Sequence, residues 1–571
     1  MDSDQLSEEA VRASLANGSF LQFVSELTVE QSREVGSVFA QASVTSDHDV
    51  IAELEGLALA DLDRRVQILL GYVVQGFISA TSESAPRVIP FAELMMTRAA
   101  DFGAYGLQQA VGRWLDGGES RCKDSYDILN LRSESTFLGL VLEKWRVHAP
   151  ANAIQAVLEL NVSRSGQLSN VATMALGGYG NAPDDVRARA IEALVSKLAG
   201  SDQAARTNAI DPAARFISEG TGSPELVDAL EAIAKDPLPD DRDQLITAFV
   251  QTRYSYPDHL RTRTFELMKE ASAENPAVLG LVDSALYDLD IYKERRLIAD
   301  IVAAIVDREE KPASLGSFQS TVYKIREAGS RIRGWFFAHW LLCGEYQLRF
   351  EVHSLFEPLD RSLYEFSVAD FKLSDQEILF LARKIFGFMF FSQGPAVSLL
   401  YACLAALRGQ TQRELEVGIF SFWLANFPGD MGLFDELVRM YPHSGMKASV
   451  ARIRKLHRIR EAEITALPAN PALQPSTSER RVQAELTFEQ QAEIHRSAEK
   501  GSIFASMMHK STILYGRSSV SYMHGPDGSE PIRQILPLAK YEMSTPIPRM
   551  DVLQPVLVDY MLRMFRMEEH P

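Results

Sequence analysis

The sequence has few cysteines: Cys122, Cys343 and Cys403 are the three among 571 residues. Three scattered thiols cannot build a disulfide framework or a cysteine-only zinc site. Basic residues are in the minority as well, with 58 Lys and Arg against 76 Asp and Glu and a net charge of −18. Because phosphate binding requires a basic surface, a protein that coats nucleic acid is excluded as a general role.

Long uncharged runs are also scarce, and the main candidate is the run over residues 385–407. This run is long enough to cross a bilayer. However, Gly394 and Pro395 near its middle break a helix and expose backbone groups that lipid cannot satisfy. We therefore predict two buried helices joined by a turn, with membrane contact as the alternative. The acidic amino terminus has neither a basic segment nor an apolar one, so we expect a cytoplasmic protein without a membrane span.

Hydrophobic residues, by contrast, make up 46% of the chain and recur at helical spacing up to about residue 465. Val186, Ala190 and Leu194 share one helical face, and sustained alternation with a period of two is hard to find in this region. Short clusters of Gly, Pro, Asn and Asp mark the helix ends, and Ser223 followed by Pro224 marks a helix start. The pattern predicts a mainly α protein.

These helix signals repeat along the chain. Helical pairs begin near Ser165, Asp202, Asp241 and Asn275, a period of about 34–39 residues that is typical of helical-hairpin arrays. The segment from Asp184 to Leu194 reads DDVRARAIEAL and resembles the second helix of a HEAT repeat. The resemblance to HEAT/armadillo-like proteins is clearest at about residues 165–310. It implies a stacked α-solenoid whose surfaces bind partners, and it implies no chemistry.

The later part of the chain changes character twice. Aromatic side chains crowd residues 311–465, which favours a thick core between large helices, with a groove for a peptide or lipid as the alternative. A proline-rich segment without charge then predicts a linker, and Thr487 with Gln490 predicts the start of a helix after it. Beyond it, residues 511–515, 519–523 and 532–543 are strand-like, and a final helix is expected over 552–567.

The predicted fold class is therefore mainly α, an α-solenoid of HEAT-like helical hairpins with a small C-terminal α+β module. The expected domains are an N-terminal helical region (1–160), HEAT-like repeats (161–310), an aromatic-rich helical region (311–465), a Pro-rich linker (466–484) and the α+β module (485–571).

The sequence lacks motifs that indicate catalysis, cofactor binding or metal binding. There is no P-loop, no dinucleotide-binding glycine motif, no zinc motif and no nucleophile elbow, so we predict no catalytic residue, no cofactor and no metal. His339 precedes Cys343 by four residues, and a core histidine is favoured there over a reactive pair. The alternative is an enzyme that acts on an anionic substrate with a site in the C-terminal module, around His509, Lys510, Tyr515, Arg517 and His524.

One helix carries a dense cluster of basic residues. Arg452, Arg454, Lys455, His457, Arg458 and Arg460 lie in nine positions, with Ile453, Leu456 and Ile459 expected on the apolar side. A solvated face is the default interpretation, and a nucleic-acid or acidic-partner contact is the alternative. The candidate binding residues are Arg452, Arg454, Lys455, Arg458, Arg460, His509, Lys510 and Arg517.

We expect a non-enzymatic helical-repeat scaffold or adaptor that binds a protein partner, since helical hairpins supply surface area and no motif supplies chemistry. A subunit of a bacterial multi-protein system, for antiviral defence or regulation, would suit this type, although no motif indicates it. A nucleic-acid-binding accessory that uses helix 452–460 is a further alternative. The sequence leaves the oligomeric state open.

Overall fold

The computed structural model is predominantly helical, which confirms the mainly α prediction. It describes residues 11, 13–14, 19–45, 49–56, 63–98, 104–132, 135–163, 166–356, 362–443, 445–468, 476–500, 509–515, 518–524, 532–537 and 547–571. The chain divides into two compact units, one of residues 1–327 with 344–351 and the other of residues 328–343 with 352–571.

The first unit consists of short helices. They are α1 (Phe20–Ser25), α2 (Val29–Thr45), α3 (Val50–Glu55), α4 (Arg64–Ala80), α5 (Ala85–Arg98), α6 (Ala104–Leu115), α7 (Glu119–Leu129), α8 (Leu138–His148), α9 (Pro150–Ser163), α10 (Gln167–Leu176), α11 (Asp184–Leu198), α12 (Gln203–Ser218), α13 (Pro224–Lys235), α14 (Pro239–Gln251), α15 (Asp258–Met268), α16 (Pro276–Asp288), α17 (Arg295–Val306), α18 (Gln319–Glu327) and α20 (Tyr346–Glu351). Several begin where the sequence predicts. Ser223 caps α13 by accepting a hydrogen bond from the Leu226 amide, and Asp202 and Asn275 cap α12 and α16.

Helices of this unit pack in a row and alternate between two layers. The even-numbered helices from α2 to α18 pack each on the next even-numbered one. The odd-numbered helices do the same from α3 to α7 and again from α9 to α17. Many helices also pack on their immediate successor, so each hairpin buries its apolar face against the hairpins beside it.

Side-chain hydrogen bonds join positions that lie about one repeat apart in the sequence. The Asn208 amide donates to Asn170 Oδ1 at 2.9 Å, and the Asn275 amide donates to Asp243 Oδ2 at 2.9 Å. Asp283, in α16, accepts from the backbone amide of Thr321 in α18 at 2.8 Å. These partners are separated by 38, 32 and 38 residues, close to the period of 34–39 read from the sequence.

Two glycines bring α2 and α4 into close contact. A Cβ atom added to Gly36 would collide with the carbonyl oxygen of Val73, and one added to Gly76 would collide with that of Arg33. The two backbones therefore approach more closely than any larger residue would allow.

The second unit contains larger helices and a small sheet. Its elements are α19 (Ser330–Cys343), α21 (Asp375–Phe388), α22 (Gln393–Ala406), α23 (Gly409–Gly418), a π-helical turn (Ile419–Trp423), α24 (Leu424–Asn426), α25 (Met431–Met440), α26 (Met446–Thr465), α27 (Thr477–Lys500), β1 (His509–Tyr515), β2 (Ser518–His524), β3 (Ile532–Pro537), α28 (Arg549–Leu553) and α29 (Pro555–Met567). Hydrogen bonds one repeat apart occur here too, as between Thr411 Oγ1 and Asp375 Oδ2 at 2.6 Å.

The uncharged run 385–407 forms two helices, as predicted. The first of them, α21, ends at Phe388, and α22 begins at Gln393 with Pro395 in its first turn. Among the described residues, no helix combines the length and apolar character that a membrane crossing requires.

Aromatic side chains form the core of the second unit, in line with the core interpretation. The ring of Phe422 lies 5.5 Å from those of Phe386 and Phe390 and 5.0 Å from that of Phe565. Most aromatic residues of the predicted region are buried or half-buried, and the exposed ones are Tyr323, Tyr346, Phe350 and Phe391. The π-helical turn places Phe422 and Trp423 in this core.

The helix predicted to start at Thr487 starts ten residues earlier, at Thr477. Ser476 and Glu479 form the cap, because the Ser476 hydroxyl accepts from the Glu479 amide while the Glu479 carboxylate accepts from the Ser476 amide. Thr487 instead lies within the helix and donates its hydroxyl to the Gln483 carbonyl at 2.8 Å. All side chains from 476 to 490 are exposed.

Three strands overlap the predicted strand segments and pair in an antiparallel sheet in the order β1-β2-β3, whereas residues 538–543 of the third segment lie outside the described residues. The predicted last helix is divided at Gln554 into α28 and α29. A separate C-terminal α+β module is not supported, since α29 packs on α21 of the helical body and buries Phe565 against Phe386. Local sequence pattern identifies a strand or helix, but it does not indicate what that element packs against.

Candidate interaction surfaces

The structure neutralises part of the basic cluster on α26. Arg452 donates from Nε to the buried carboxylate of Glu416 at 2.9 Å, and the Ser449 hydroxyl also bonds that carboxylate. Arg454 forms an ion pair with Asp435. Two of the predicted binding residues therefore hold α26 against its neighbours and are not available to contact the phosphates of a nucleic acid.

The remaining basic residues of α26 differ in their surroundings. The Arg460 guanidinium lies 5.8 Å from the ring centroid of Phe420, and burial lowers the pKa of His457. Lys455 and Arg458 are exposed and have no side-chain partner among the described residues. Two such cations in an acidic protein make a weak electrostatic site for nucleic acid.

The apolar side predicted for this helix is only partly correct. Ile453 is buried, but Leu456 and Ile459 are exposed. The reason is that the first half of α26 packs on α23 and α25, whereas residues from Ala462 to Leu467 are all exposed. A periodic pattern shows which face is apolar and does not show how far along the helix its neighbours reach.

For the candidate residues of the C-terminal strands, the structure gives the backbone register. His509 and Lys510 open β1, and the register pairs His509 with His524 and Lys510 with Met523. Arg517 lies outside the described residues. None of the three strands contains Asp or Glu, so the strands themselves supply no carboxylate partner for an acid–base pair.

The two buried thiols and the core histidine show no sign of activation. Burial raises the pKa of Cys122 to about 11 and that of Cys403 to about 12, so both thiols stay protonated at neutral pH. The buried ring of His339 stacks on Trp335 at 4.8 Å, as expected of a core histidine. The described part of the chain holds no group of three or more His, Cys, Asp or Glu residues that could bind a metal ion.

The structure reveals a surface that the sequence reasoning missed, which we call the tyrosine ladder: Tyr254, Tyr287 and Tyr323. These residues lie 33 and 36 residues apart, so they occupy related positions at α14, α16 and α18, which pack in a row. They belong to the turn after α14, the end of α16 and the middle of α18. Because both spacings lie close to the period of 34–39 residues, they were a signal available in the sequence.

Contacts link the three residues of the tyrosine ladder. The Tyr254 hydroxyl donates to Asp288 Oδ2 at 2.8 Å. The Lys324 ammonium bonds the Tyr287 carbonyl and lies 5.3 Å from the Tyr287 ring centroid. Burial, together with the Asp288 carboxylate, raises the pKa of Tyr254, so its hydroxyl remains a donor. The ladder is thus a fixed row, in which Tyr287 is 42% and Tyr323 59% exposed.

Backbone strain marks one end of the tyrosine ladder. Arg253 and Tyr254 have φ of 51° and 63°, in the left-handed region that side chains with a Cβ atom rarely adopt. Such strain persists where surrounding contacts hold it, as the Asp288 hydrogen bond and the Phe249 ring, 5.2 Å from the Tyr254 ring, do here.

A second exposed surface lies on the outer side of α29. Val556, Leu557, Tyr560, Met564 and Met567 are all exposed there, and the first three line a shallow apolar depression together with Gln554 and Pro555. An apolar stripe of this extent on a protein surface is characteristic of an interaction site.

No protein-family model and no curated protein matches this chain. Among solved structures, one similar chain is the crystal structure of an engineered protein. It is 13% identical, with a TM-score of 0.16, and the match covers 77% of this chain and 98% of that one. At this level of similarity the comparison supports no conclusion about function.

Proposed function

We propose that this chain is a non-enzymatic helical-repeat scaffold, with a first unit of HEAT-like α-solenoid type, that binds a protein partner along the tyrosine ladder. The two-layer packing of successive helices and the hydrogen bonds one repeat apart support the solenoid arrangement. The partner's identity, including a place in a bacterial defence or regulatory assembly, stays a prediction.

The observation that carries this proposal is the recurrence of tyrosine at the repeat interval. Tyrosine is enriched at protein interfaces because it offers a rigid apolar ring and a polar hydroxyl, and it is frequent among the residues that dominate binding energy. Packed helices lie about 8–10 Å apart, so three rungs in successive repeats form a row of about 20 Å. An extended peptide covers that length with about six residues, which suits a polypeptide partner.

The alternatives have weaker support. For nucleic-acid binding, Arg452 and Arg454 are already paired with acidic residues of the same unit. For catalysis, the buried thiols are protonated, and the strands carry no carboxylate. The tyrosine ladder requires no reactive group, because it supplies contact area alone.

The test is site-specific photocrosslinking in full-length protein purified from its native host. A photoreactive phenylalanine analogue at position 323 should capture one discrete polypeptide. The same analogue at position 105 should not, because Tyr105 is even more exposed than Tyr323 but lies on α6, away from the ladder.

Substitutions provide the second arm of the test. The double variant Y287A/Y323A should co-purify at least about tenfold less of that polypeptide, since tyrosine is enriched among the few interface residues whose truncation costs about 2 kcal/mol or more. The control Y105A should retain it. Retention by the double variant, or an equal loss in the control, would contradict the proposal.

A further inference from the structure

The helix α29 is apolar on two opposite faces. Its inner face includes Val558 and Leu562, which are buried, and Phe565, which contacts the aromatic core. Its outer face carries an exposed stripe, in which Val556 is 83%, Tyr560 57% and Met567 72% exposed. An exposed apolar stripe of this extent is characteristic of a surface that another chain covers. The outer stripe therefore requires a cover that a single copy of the described chain does not supply.

The geometry of the stripe suits another helix. Val556, Tyr560, Met564 and Met567 follow one another at intervals of four, four and three residues. These intervals keep the side chains on one narrow line along the helix, as in pairs of packed helices. A partner helix can thus lie along the whole length of α29.

The stripe is large enough for a stable pair. Val552 and Leu553, at the end of the preceding α28, are also about two-thirds exposed. Seven large apolar side chains of this exposure approach the roughly 800 Å² per partner that a standard protein interface buries. Pairing two identical stripes would remove that area from water on both copies.

The charges beside the stripe can pair with the same charges of a second copy of this helix. Asp559 and Arg563 flank the same edge and lie 2.9 Å apart within the helix. In an antiparallel pair with a two-fold axis near position 561, Asp559 of each copy faces Arg563 of the other. The same arrangement brings Val556 opposite Met567 and Tyr560 opposite Met564, so apolar residues meet apolar residues. A single surface that matches itself is what a two-fold interface requires.

We propose that two copies of this chain pair through the outer stripe of α29, antiparallel and about a two-fold axis, to form a homodimer. This pairing is independent of the tyrosine ladder, because the ladder belongs to the other unit.

Light scattering after size exclusion tests the proposal on the full-length protein. Wild type should show twice the chain mass of 63.6 kDa, and Y560E/M564E should show the mass of one chain. The control V482E/F488E adds the same charge at exposed positions of α27 and should stay dimeric. A circular-dichroism melt close to that of wild type would show that Y560E/M564E is folded.

Charge reversal identifies the register. D559R and R563D should each weaken the dimer by about three- to thirtyfold in dissociation constant, whereas an equal mixture of the two should regain near wild-type affinity, because their charges complement each other between copies. A monomeric wild type at about 100 μM, as expected if a different partner or the chain's own sheet covers the stripe, would overturn the proposal. So would a dimer that survives in Y560E/M564E.

Discussion

The ammonium group of Lys384 lies 3.0 Å from the carbonyl oxygen of Phe565 and 2.9 Å from that of Arg566. A fully buried charge on α21 thus caps the end of α29, where the last carbonyls lack partners within the helix. Beside it, Arg383 donates to the carboxylate of Glu568 at 2.8 Å. The last helix is therefore attached to the body by specific charges as well as by Phe565.

Replacing this lysine should loosen the last helix. Lys384→Met leaves the capped carbonyls buried without a donor, and we expect a loss of about 2–4 kcal/mol in the free energy of unfolding. Urea denaturation measures the loss, and amide exchange should accelerate over 555–567. Lys447→Met, at an exposed position, should change stability by less than about 0.5 kcal/mol. Unchanged exchange in K384M would show that the other contacts, those of Phe565 and Arg383, hold α29 without the lysine.

Glu416 should make the attachment of α26 dependent on pH. Burial raises the pKa of its carboxyl group, but hydrogen bonds from Arg452 and Ser449 outweigh burial and hold the pKa below its usual 4.5. A carboxylate whose folded pKa is depressed stabilises the fold above its unfolded pKa, and this stabilisation is lost as the pH falls below that value. Wild type should therefore lose thermal stability on acidification from about pH 5 to pH 3.

The variant Glu416→Gln isolates this contribution. It should cost about 1–3 kcal/mol at neutral pH, since Arg452 loses its charged acceptor, and the difference from wild type should shrink at low pH. Melting temperatures at several pH values measure both effects. Glu463→Gln, an exposed change on α26, the helix of Arg452, should reproduce the wild-type curve. A constant difference between E416Q and wild type would contradict the assignment.

The contact of α2 with α4 predicts opposite effects for two glycines of one helix. Gly76→Ala places a methyl group against the Arg33 carbonyl and should destabilise the protein by about 2 kcal/mol or more. Gly71→Ala meets no atom within 4 Å and should stabilise it by up to about 1 kcal/mol through helix propensity. Thermal denaturation measures the change in stability of each variant. Equal changes in the two would exclude a close contact between α2 and α4.

The hydrogen bonds of Asp283 predict how strongly α16 stabilises the start of α18. Its carboxylate accepts from the backbone amides of Ser320 and Thr321, both at 2.8 Å, and so caps α18 from α16. Asp283→Ala should cost about 1–3 kcal/mol, with the loss visible as faster amide exchange at the start of α18. The neighbouring exposed change Ser284→Ala should have little effect. Slow exchange in D283A would show that packing alone fixes α18.

Local patterns were sufficient wherever a feature depends on neighbouring residues. The cap at Ser223, the break in the run 385–407 and the three C-terminal strands all follow from turn residues and side-chain period. The start of α27 was misplaced because two capping signals compete, and Ser476 with Glu479 satisfies the backbone earlier than Thr487 does. The basic cluster on α26 was identified, but its pairing with Glu416 and Asp435 was not, because those carboxylates lie 36 and 19 residues away.

The sequence by itself determined that this protein is mainly helical and where many of its helices begin, since these features depend on spacing along the chain. Only the tertiary structure decided that Lys384 caps α29, that two arginines of α26 are neutralised and that α29 exposes a second apolar face. Such features depend on which distant residues share a low-dielectric contact, and the free energy of that contact is set by burial and geometry rather than by residue order.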